Sequence, residues 1–388
     1  MNSSSEVVII GGGISGVAAA YELARSGVAV TVLERGNLAA MASGRTLAGV
    51  RQSGRHPAEV PLARAAVRRW ERLADELDAD LEYRQDGNLR LARNEAELPA
   101  IRRLVEEQSQ LGLELELLAD NRSVRQVAPA LSESIVAASF CPTDGHANPL
   151  KTVLAFAAAA QRRRAGIRTE VEVTRIETAG GRVTGVQTDA GPVRADSVVV
   201  AAGIHSPELL RPLGIELPIT LEHVAAVQSV PLPPLIQQVI GVANGDVAGR
   251  QQVDGHLRFT GTGERWRGGN AWATGEDFLQ PPMSHVVTAI ERFAAVIPAI
   301  REAPLARIWG GLIDVTADAL PVIERVPDVE GLVLAAGFSG HGFCLGPVTG
   351  QIVRDLVISG ATDLPIEPFR RGRPGLRRRE GEAPTLHG

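Results

Sequence analysis

Apolar residues along the chain follow two rhythms, one with the period of a strand and one with that of a helix. Val7 to Ile10 is an unbroken apolar run of strand length, Ile14 to Arg25 has helical spacing, and Val28 to Leu33 is a second β-branched run. Strand, helix and strand joined by short turns make a βαβ unit. Its crossover is expected to be right-handed and its two strands parallel, with helices covering both faces of the sheet.

The rhythm then changes several times. Pro61 to Leu77 carries Leu62, Ala66, Trp70, Leu73 and Leu77 at helical intervals, Gly87 to Ala92 reads as a strand, and Glu95 to Gln110 reads as a helix. This second unit has the look of an insertion. Leu150 to Arg164 is helical again, and Val171 to Ile176 and Val183 to Thr188 flank Gly180-Gly181 as a hairpin would. Ser197 to Ala201 reads as a buried strand.

Beyond Pro218 the segments are short and alternating, such as Val224 to Val230 and Leu257 to Thr260. Pro231, Pro233, Pro234 and a glycine-rich stretch from Gly261 to Gly269 break them up. Leu332 to Ala336 returns to the buried-strand pattern, followed by a glycine-rich turn and an apolar helix through Ile358. The predicted fold is an α/β Rossmann-like domain that opens with βαβ, plus an interleaved α+β domain with a mainly antiparallel sheet. The first domain is expected to be discontinuous, over residues 1–83, 144–221 and 321–370, and the second to occupy 84–143 and 222–320. Residues 371–388, with Arg370 just before them and Arg371, Arg373, Arg377, Arg378 and Arg379 within, read as a mobile arginine-rich tail.

Composition narrows the function. The chain has 388 residues, 44% hydrophobic and 22% charged, with a mean hydropathy of +0.03, which excludes a disordered or collagenous polymer. A net charge of -5 disfavours a nucleic-acid partner, because neutralising many phosphates takes a basic face. Two cysteines, Cys141 and Cys344, are too few for a disulfide framework or a cysteine-rich metal site. With no apolar run of membrane-span length and no basic, cleavable N-terminal signal, the expected location is the cytoplasm, with membrane association only through a partner. Lys151 is the only lysine among 40 basic residues, so nearly all positive charge is permanent and non-nucleophilic.

Gly11-Gly12-Gly13-Ile14-Ser15-Gly16 lies between the first strand and the first helix, and Glu34 closes the second strand. Gly11 allows the tight turn, Gly13 lets the backbone approach a pyrophosphate, and Gly16 permits close packing of helix on strand. The helix N-terminus offers free N–H groups, and Glu34 accepts from a ribose diol. In this context the pattern marks a dinucleotide site. A second glycine-rich turn, Gly337-Phe338-Ser339-Gly340-His341-Gly342-Phe343, also follows a strand and opens a helix. A nicotinamide enzyme has no obvious use for it. In a flavoenzyme it can face the N1–C2=O edge, where negative charge develops on reduction. FAD is therefore the expected cofactor, and no metal is expected.

With these residues in view, the chain resembles the D-amino-acid-oxidase-like superfamily of FAD-dependent amine oxidoreductases, the glycine and sarcosine oxidase group, over almost its whole length. Further matching features are Ser43-Gly44-Arg45, Ala48-Gly49-Val50-Arg51-Gln52, Asp144-Gly145-His146, Ala201-Ala202-Gly203, Trp309-Gly310-Gly311-Leu312 and Asp318 to Ile323. The resemblance implies a FAD domain beside a substrate domain whose sheet covers the reactive face of the flavin. It implies cofactor contacts at Gly11, Gly13, Ile14, Ser15, Gly16, Glu34 and Arg35, and at Ser43, Gly44, Arg45, Thr46 and Leu47. It places others at Val173, Ala202, Gly203, Gly337, Gly340, His341, Gly342 and Phe343. Many members carry Arg-Pro after the Gly-Leu of the W-x-G-L segment, and that arginine clamps the substrate carboxylate. Here Ile313-Asp314 stands in its place. The variant looks most like the β subunits of hetero-oligomeric dehydrogenases for sarcosine, proline, hydroxyproline or opines, whose partner subunits carry further redox centres.

No catalytic residue is assigned outright. Arg51 is a candidate for the substrate carboxylate, with a surface salt bridge as the competing role. His341 is a candidate for a polar contact to flavin or substrate, with packing as the competing role. Asp314 has either a cationic substrate group or a structural cap to serve. Cys344 reads as a buried thiol unless the helix start lowers its pKa. Trp309 and Phe343 read as packing residues or pocket walls, and His223, His256 and His285 lack metal-ligand spacing.

The expected reaction is hydride transfer from the carbon bearing the nitrogen of an amino or imino acid to flavin N5, leaving an imine, with no obligatory strong base. Lys151 falls outside the segments expected to face the flavin, so a dehydrogenase passing electrons to a partner or quinone is preferred over a peroxide-forming oxidase. A hydroxylase-type monooxygenase and a non-catalytic, FAD-stabilised assembly subunit compete with both.

Overall fold

The computed structural model describes residues 3–268 and 279–376. Gly269, the end of the expected glycine-rich stretch, and Arg377, Arg378 and Arg379 lie outside the described residues.

The first strand, Ser3–Ile10, is the centre of a largely parallel sheet. It pairs in parallel with Val30–Leu33 on one side and with Gly191–Val200 on the other. Gly166–Arg168 and Leu332–Ala336 extend the sheet outward, also parallel, and Val322–Arg325 adds an antiparallel edge. Strand alternation sorts the side chains. Val7 and Ile9 face the helices Ile14–Arg25, Pro149–Arg162 and Gly342–Ile358, whereas Val8 and Ile10 face the hairpin Val173–Ala179/Arg182–Thr188 and the short helix Ser206–Leu210. The hairpin turns at Gly180-Gly181, both with positive φ.

A second sheet runs in the order Glu264–Arg265, Ile219–Pro231, His256–Gly261, Val247–Gln251, Val239–Val242, Asn88–Ala92, Ala137–Cys141, Glu116–Leu118, with Leu305–Thr316 also on Ile219–Pro231. Every pairing is antiparallel except that of Val239–Val242 with Asn88–Ala92. Its own core includes Leu89, Leu91, Val227, Phe259 and Phe293. Among the described residues no helix is long and apolar enough to cross a membrane.

Three details differ from expectation. The helix expected from Glu95 begins at Leu98, where Pro99 occupies the first turn and Glu97 is held by Asn94 and Arg93. The boundary expected between 221 and 222 falls inside the continuous strand Ile219–Pro231. The first part of the tail, expected to be mobile from 371, is docked: Arg371 pairs with Glu324 at 3.2 Å, Arg373 grips Asp318 through two nitrogens, and Leu376 is buried. Ion pairs to residues some fifty positions away hold it.

Candidate active site

The glycine turn is dictated by sterics. Gly11 has φ +110°, and a Cβ there would lie 2.4 Å from the carbonyl oxygen of Ala201. A Cβ on Gly16 would lie 2.0 Å from the carbonyl oxygen of Gly11, so the helix Ile14–Arg25 starts directly against the turn. Its first-turn N–H groups have no earlier carbonyls to bond and face a cavity of about 610 Å³. Ser43 Oγ accepts from the Ile14 N–H at 3.0 Å. Glu34 accepts from the Gly12 N–H at 2.7 Å and the Gly36 N–H at 2.8 Å, one bond to each carboxylate oxygen, which leaves lone pairs for a diol.

The cavity runs from this turn to the second sheet. It brings together most of the expected contacts: Gly11, Gly13, Ile14, Ser15, Glu34, Arg35, Ser43, Arg45, Thr46, Leu47, Arg51, Val173, Ala202, Gly203, Gly340, Gly342 and Phe343. Gly16, Gly44, Gly337 and His341 stand behind its wall. A Cβ on Gly44 would meet the Ala39 carbonyl at 2.2 Å, so its smallness serves packing. The Gly337 N–H donates to Asp314 Oδ2 at 2.7 Å. His341, expected as a polar contact to the flavin or substrate, is only 4% exposed, and its Nδ1 donates to Glu59 Oε2 at 2.9 Å. It does not line the cavity.

Residues 45–47 are held in place by the second sheet. Trp309 Nε1 donates to the Arg45 carbonyl at 3.1 Å, Arg258 Nη1 to the Thr46 carbonyl at 3.0 Å, and Arg250 Nε to the Leu47 carbonyl. Arg45 returns a bond from Nη1 to the Gly310 carbonyl at 3.0 Å. Arg250 is 1% exposed and spends its other nitrogens on the Ala147 carbonyl and His146 Nδ1, each at 3.0 Å. Burial, then the charge of Arg258, lowers its pKa to about 9. Sequence reasoning does not single out Arg250 and Arg258. The usable signal is an arginine within an otherwise apolar strand pattern.

The far end of the cavity is cationic. Arg51, Arg55 and Arg90 line it together with Asn88, Val239 and Ile240. Burial, followed by repulsion from Arg55 and Arg90, brings Arg51 down to about 9, and burial followed by Arg55 brings Arg90 to about 10. Asp144 lies beneath, fully buried, accepting from the Gln52 N–H at 2.8 Å, the Ser53 N–H at 3.2 Å and the Ser53 hydroxyl. Burial raises its pKa despite these donors.

Asp314 is a buried cap: it lines the cavity, but its carboxylate accepts amide N–H groups of the 337–338 turn, and burial lifts it to about 6. Cys344 is a buried thiol pushed up to about 11 by burial, so the helix start does not activate it. Lys151 is half exposed, pairs with Glu82 at 2.6 Å and does not line the cavity. Phe343 forms part of the wall and packs on Trp70, whereas Trp309 is buried beneath Arg258. His223, His256 and His285 lie off the cavity, bonded to the Leu279 carbonyl, Asp254 and Glu264.

A parallel sheet with a glycine turn at one end of a deep cavity, and an antiparallel sheet closing the other, defines a two-layer dinucleotide-dependent oxidoreductase. The chain belongs to the DAO family of FAD dependent oxidoreductases, whose model matches residues 6–356. It is 31% identical to the sarcosine oxidase subunit beta of Arthrobacter sp. over 358 residues, 89% of this chain and 85% of that one. Its fold superimposes on L-proline dehydrogenase from P. horikoshii with a TM-score of 0.87 at 29% identity, covering 95% and 97% of the two chains. On glycine oxidase from Geobacillus kaustophilus the TM-score is also 0.87, at 26% identity, covering 98% and 100%. FAD is its cofactor, and the chain is an enzyme of the CH–NH-oxidising flavoprotein family. The cavity fits that group: a glycine turn too tight for side chains, a helix start whose Ile14 N–H is taken by Ser43 and whose Ser15 lines the cavity to meet a pyrophosphate, and Glu34 for a ribose diol.

Proposed function

We propose that the chain oxidises the carbon–nitrogen bond of an α-amino or secondary amino (imino) acid to the imine, with Arg51 holding the substrate carboxylate. The observation that carries this reading is the cavity itself, which starts at the glycine turn and ends at partly buried, cationic Arg51 beside small apolar walls. Gly11, Gly13, Ile14, Ser15, Glu34, Ser43, Arg45, Thr46, Leu47, Val173, Ala202, Gly203, Gly340, Gly342 and Phe343 would hold FAD, which supplies the two-electron acceptor. The chain's own residues bind the acid, orient its C–H, and exclude water. Asp144, beneath the arginines, is taken up by the Gln52 and Ser53 amides, and Asp314, on the cavity wall, by the Gly337 amide, so neither carboxylate is offered to a second positive charge on the substrate. Substrates with basic side chains are therefore disfavoured.

Electrons leave to a partner or a quinone. Support comes from Lys151, the chain's single lysine, which lies outside the cavity, and from the structural neighbour named as L-proline dehydrogenase. The relatives named as subunits also favour a hetero-oligomer.

The test is anaerobic mixing of the holoprotein with D- and L-amino acids, N-methylglycine, prolines and opines while flavin absorbance is followed. Bleaching by a member of this panel, with slow reoxidation in air and fast reoxidation by a quinone, is the expected result. A FAD-loaded protein that none of them bleaches ends the amino-acid reading, and rapid peroxide formation ends the dehydrogenase assignment.

A further inference from the structure

We propose that Arg90 is the second jaw of a carboxylate clamp whose first jaw is Arg51, so that recognition of the acid is shared between the two sheets. The clamp rests on the amino-acid reading of the cavity and deepens it. Arg51 follows the short strand Gly49–Val50 on the flavin side of the cavity, and Arg90 sits in the middle of Asn88–Ala92 in the second sheet. Strand alternation turns Leu89 and Leu91 into the core of that sheet and leaves Arg90 on the cavity face. The two guanidinium groups converge. A Cβ built on Gly54 would lie 3.0 Å from Arg90 Nη2 and 3.2 Å from Arg51 Nη1, so both nitrogens reach the same small volume.

Neither arginine is spent on the protein. Arg90 is 9% exposed, and its Nε is buried without a hydrogen-bond partner. Arg51 gives only a long 3.4 Å bond to the Ser53 carbonyl, and among the described residues neither arginine has a carboxylate within ion-pair distance. The third cation, Arg55, differs. It pairs with Glu59 at 3.5 Å, and Glu59 is in turn bonded by His341. Asp144 offsets some of the charge, but the Gln52 and Ser53 amides and the Ser53 hydroxyl already occupy its oxygens. A desolvated guanidinium without an acceptor is costly, and a planar carboxylate is the group its fork matches. The surrounding Val239, Ile240 and Ala248 suit an apolar body on that acid.

The experiment uses holoprotein and a pair of ligands with no amine to oxidise, cyclopentanecarboxylate and its neutral amide, titrated by perturbation of the flavin spectrum. Wild type is expected to prefer the carboxylate. Arg90→Met and Arg51→Met should each weaken carboxylate binding by about 10- to 100-fold, the range for losing a charged hydrogen bond, and leave the amide unchanged. Arg90→Lys should recover part of the loss and guards against a folding defect, with FAD content and melting temperature checked for each variant. For oxidised substrates the loss should fall on KM rather than kcat. Unchanged carboxylate binding in Arg90→Met, or equal losses for acid and amide, would overturn the clamp even if amino acids bleach the flavin. Conversely, arginine-dependent carboxylate binding in a protein that no amino acid bleaches would keep the clamp and discard the substrate reading.

Discussion

Arg250 donates its Nε–H to the carbonyl oxygen of Leu47, from the interior of the second sheet to a residue on the FAD side of the cavity. The carbonyls of three consecutive residues, Arg45, Thr46 and Leu47, each accept from a different side chain of that sheet. The loop is thus fixed by the layer opposite in addition to its own turn bonds, such as that from the Ala48 N–H to Thr46 Oγ1. Cofactor binding and the packing of the two sheets should therefore be coupled.

Arg250→Met tests that coupling. It removes donors to the Leu47 and Ala147 carbonyls and leaves both without them, a loss of roughly 2–6 kcal/mol at about 1–3 kcal/mol per unsatisfied group. The expected outcome is a protein that folds but loses FAD on gel filtration, with the flavin dissociation constant raised at least about 30-fold. Full FAD retention at wild-type affinity would show that the loop holds itself.

How much of this was legible in the sequence depends on how local each signal is. The helix Ile14–Arg25 and the strand Leu332–Ala336 fall where their periodicities place them, because one face or the whole run is buried and nothing competes. Arg90 and Arg250 are single residues in apolar strands. They become site residues only once Asn88–Ala92 pairs with Val239–Val242 and Val247–Gln251 comes to lie behind residues 46–47, contacts set by register across more than a hundred positions. The docking of Arg371 and Arg373 was hidden for the same reason: their partners Glu324 and Asp318 are distant in sequence, and an arginine run in isolation reads as solvated.

Asp314 separates a cap from a charge. Its oxygen holds the Gly337 N–H, so Asp314→Asn, which can keep that acceptor, should retain FAD, whereas Asp314→Ala should weaken FAD binding by about 10-fold through the orphaned amide. Burial raises its pKa from about 3.8 to about 6, so its charged form costs stability, and that cost appears as pH rises between those values. Relative to wild type, Asp314→Asn should gain stability between pH 4 and 7, read from urea midpoints. Equal loss of FAD in both variants would contradict the cap.

Glu59 and His341 set the opposite pH dependence. Burial, then Arg55, pushes His341 down to about 4 against the pull of Glu59. Burial alone would raise Glu59, but His341 and Arg55 outweigh it and hold the carboxyl at about 2. The unfolded histidine takes up a proton near its ordinary value of about 6.5, which the folded one refuses until about pH 4. Stability is therefore lost as pH falls through that window, by up to about 3 kcal/mol, and Glu59 extends the loss below pH 4.5. His341→Asn should be less stable than wild type at pH 7.5 yet lose less between pH 6.5 and 4, as thermal unfolding across that range would show. Parallel slopes for the two proteins would mean that the acid sensitivity arises elsewhere.

Gly350 decides how closely the last helix approaches the first. A Cβ there would lie 2.6 Å from the backbone carbon of Ala18 and 2.7 Å from its carbonyl oxygen, both main-chain atoms that no rotamer change can move. Alanine in a helix interior gains about 1 kcal/mol over glycine, while forcing a methyl into a packed contact costs about 1–3 kcal/mol. Because the obstructing atoms are backbone, the steric cost should win, and Gly350→Ala should lower stability by about 1–2 kcal/mol in chemical unfolding. The displaced helix is Ile14–Arg25, whose first turn faces the FAD cavity, so the variant should also bind FAD more weakly than an equally destabilised variant in the second sheet, such as Phe293→Leu. A stabilised Gly350→Ala protein, or identical FAD affinity in the two variants, would show that this crossing has slack and does not set the position of the glycine turn.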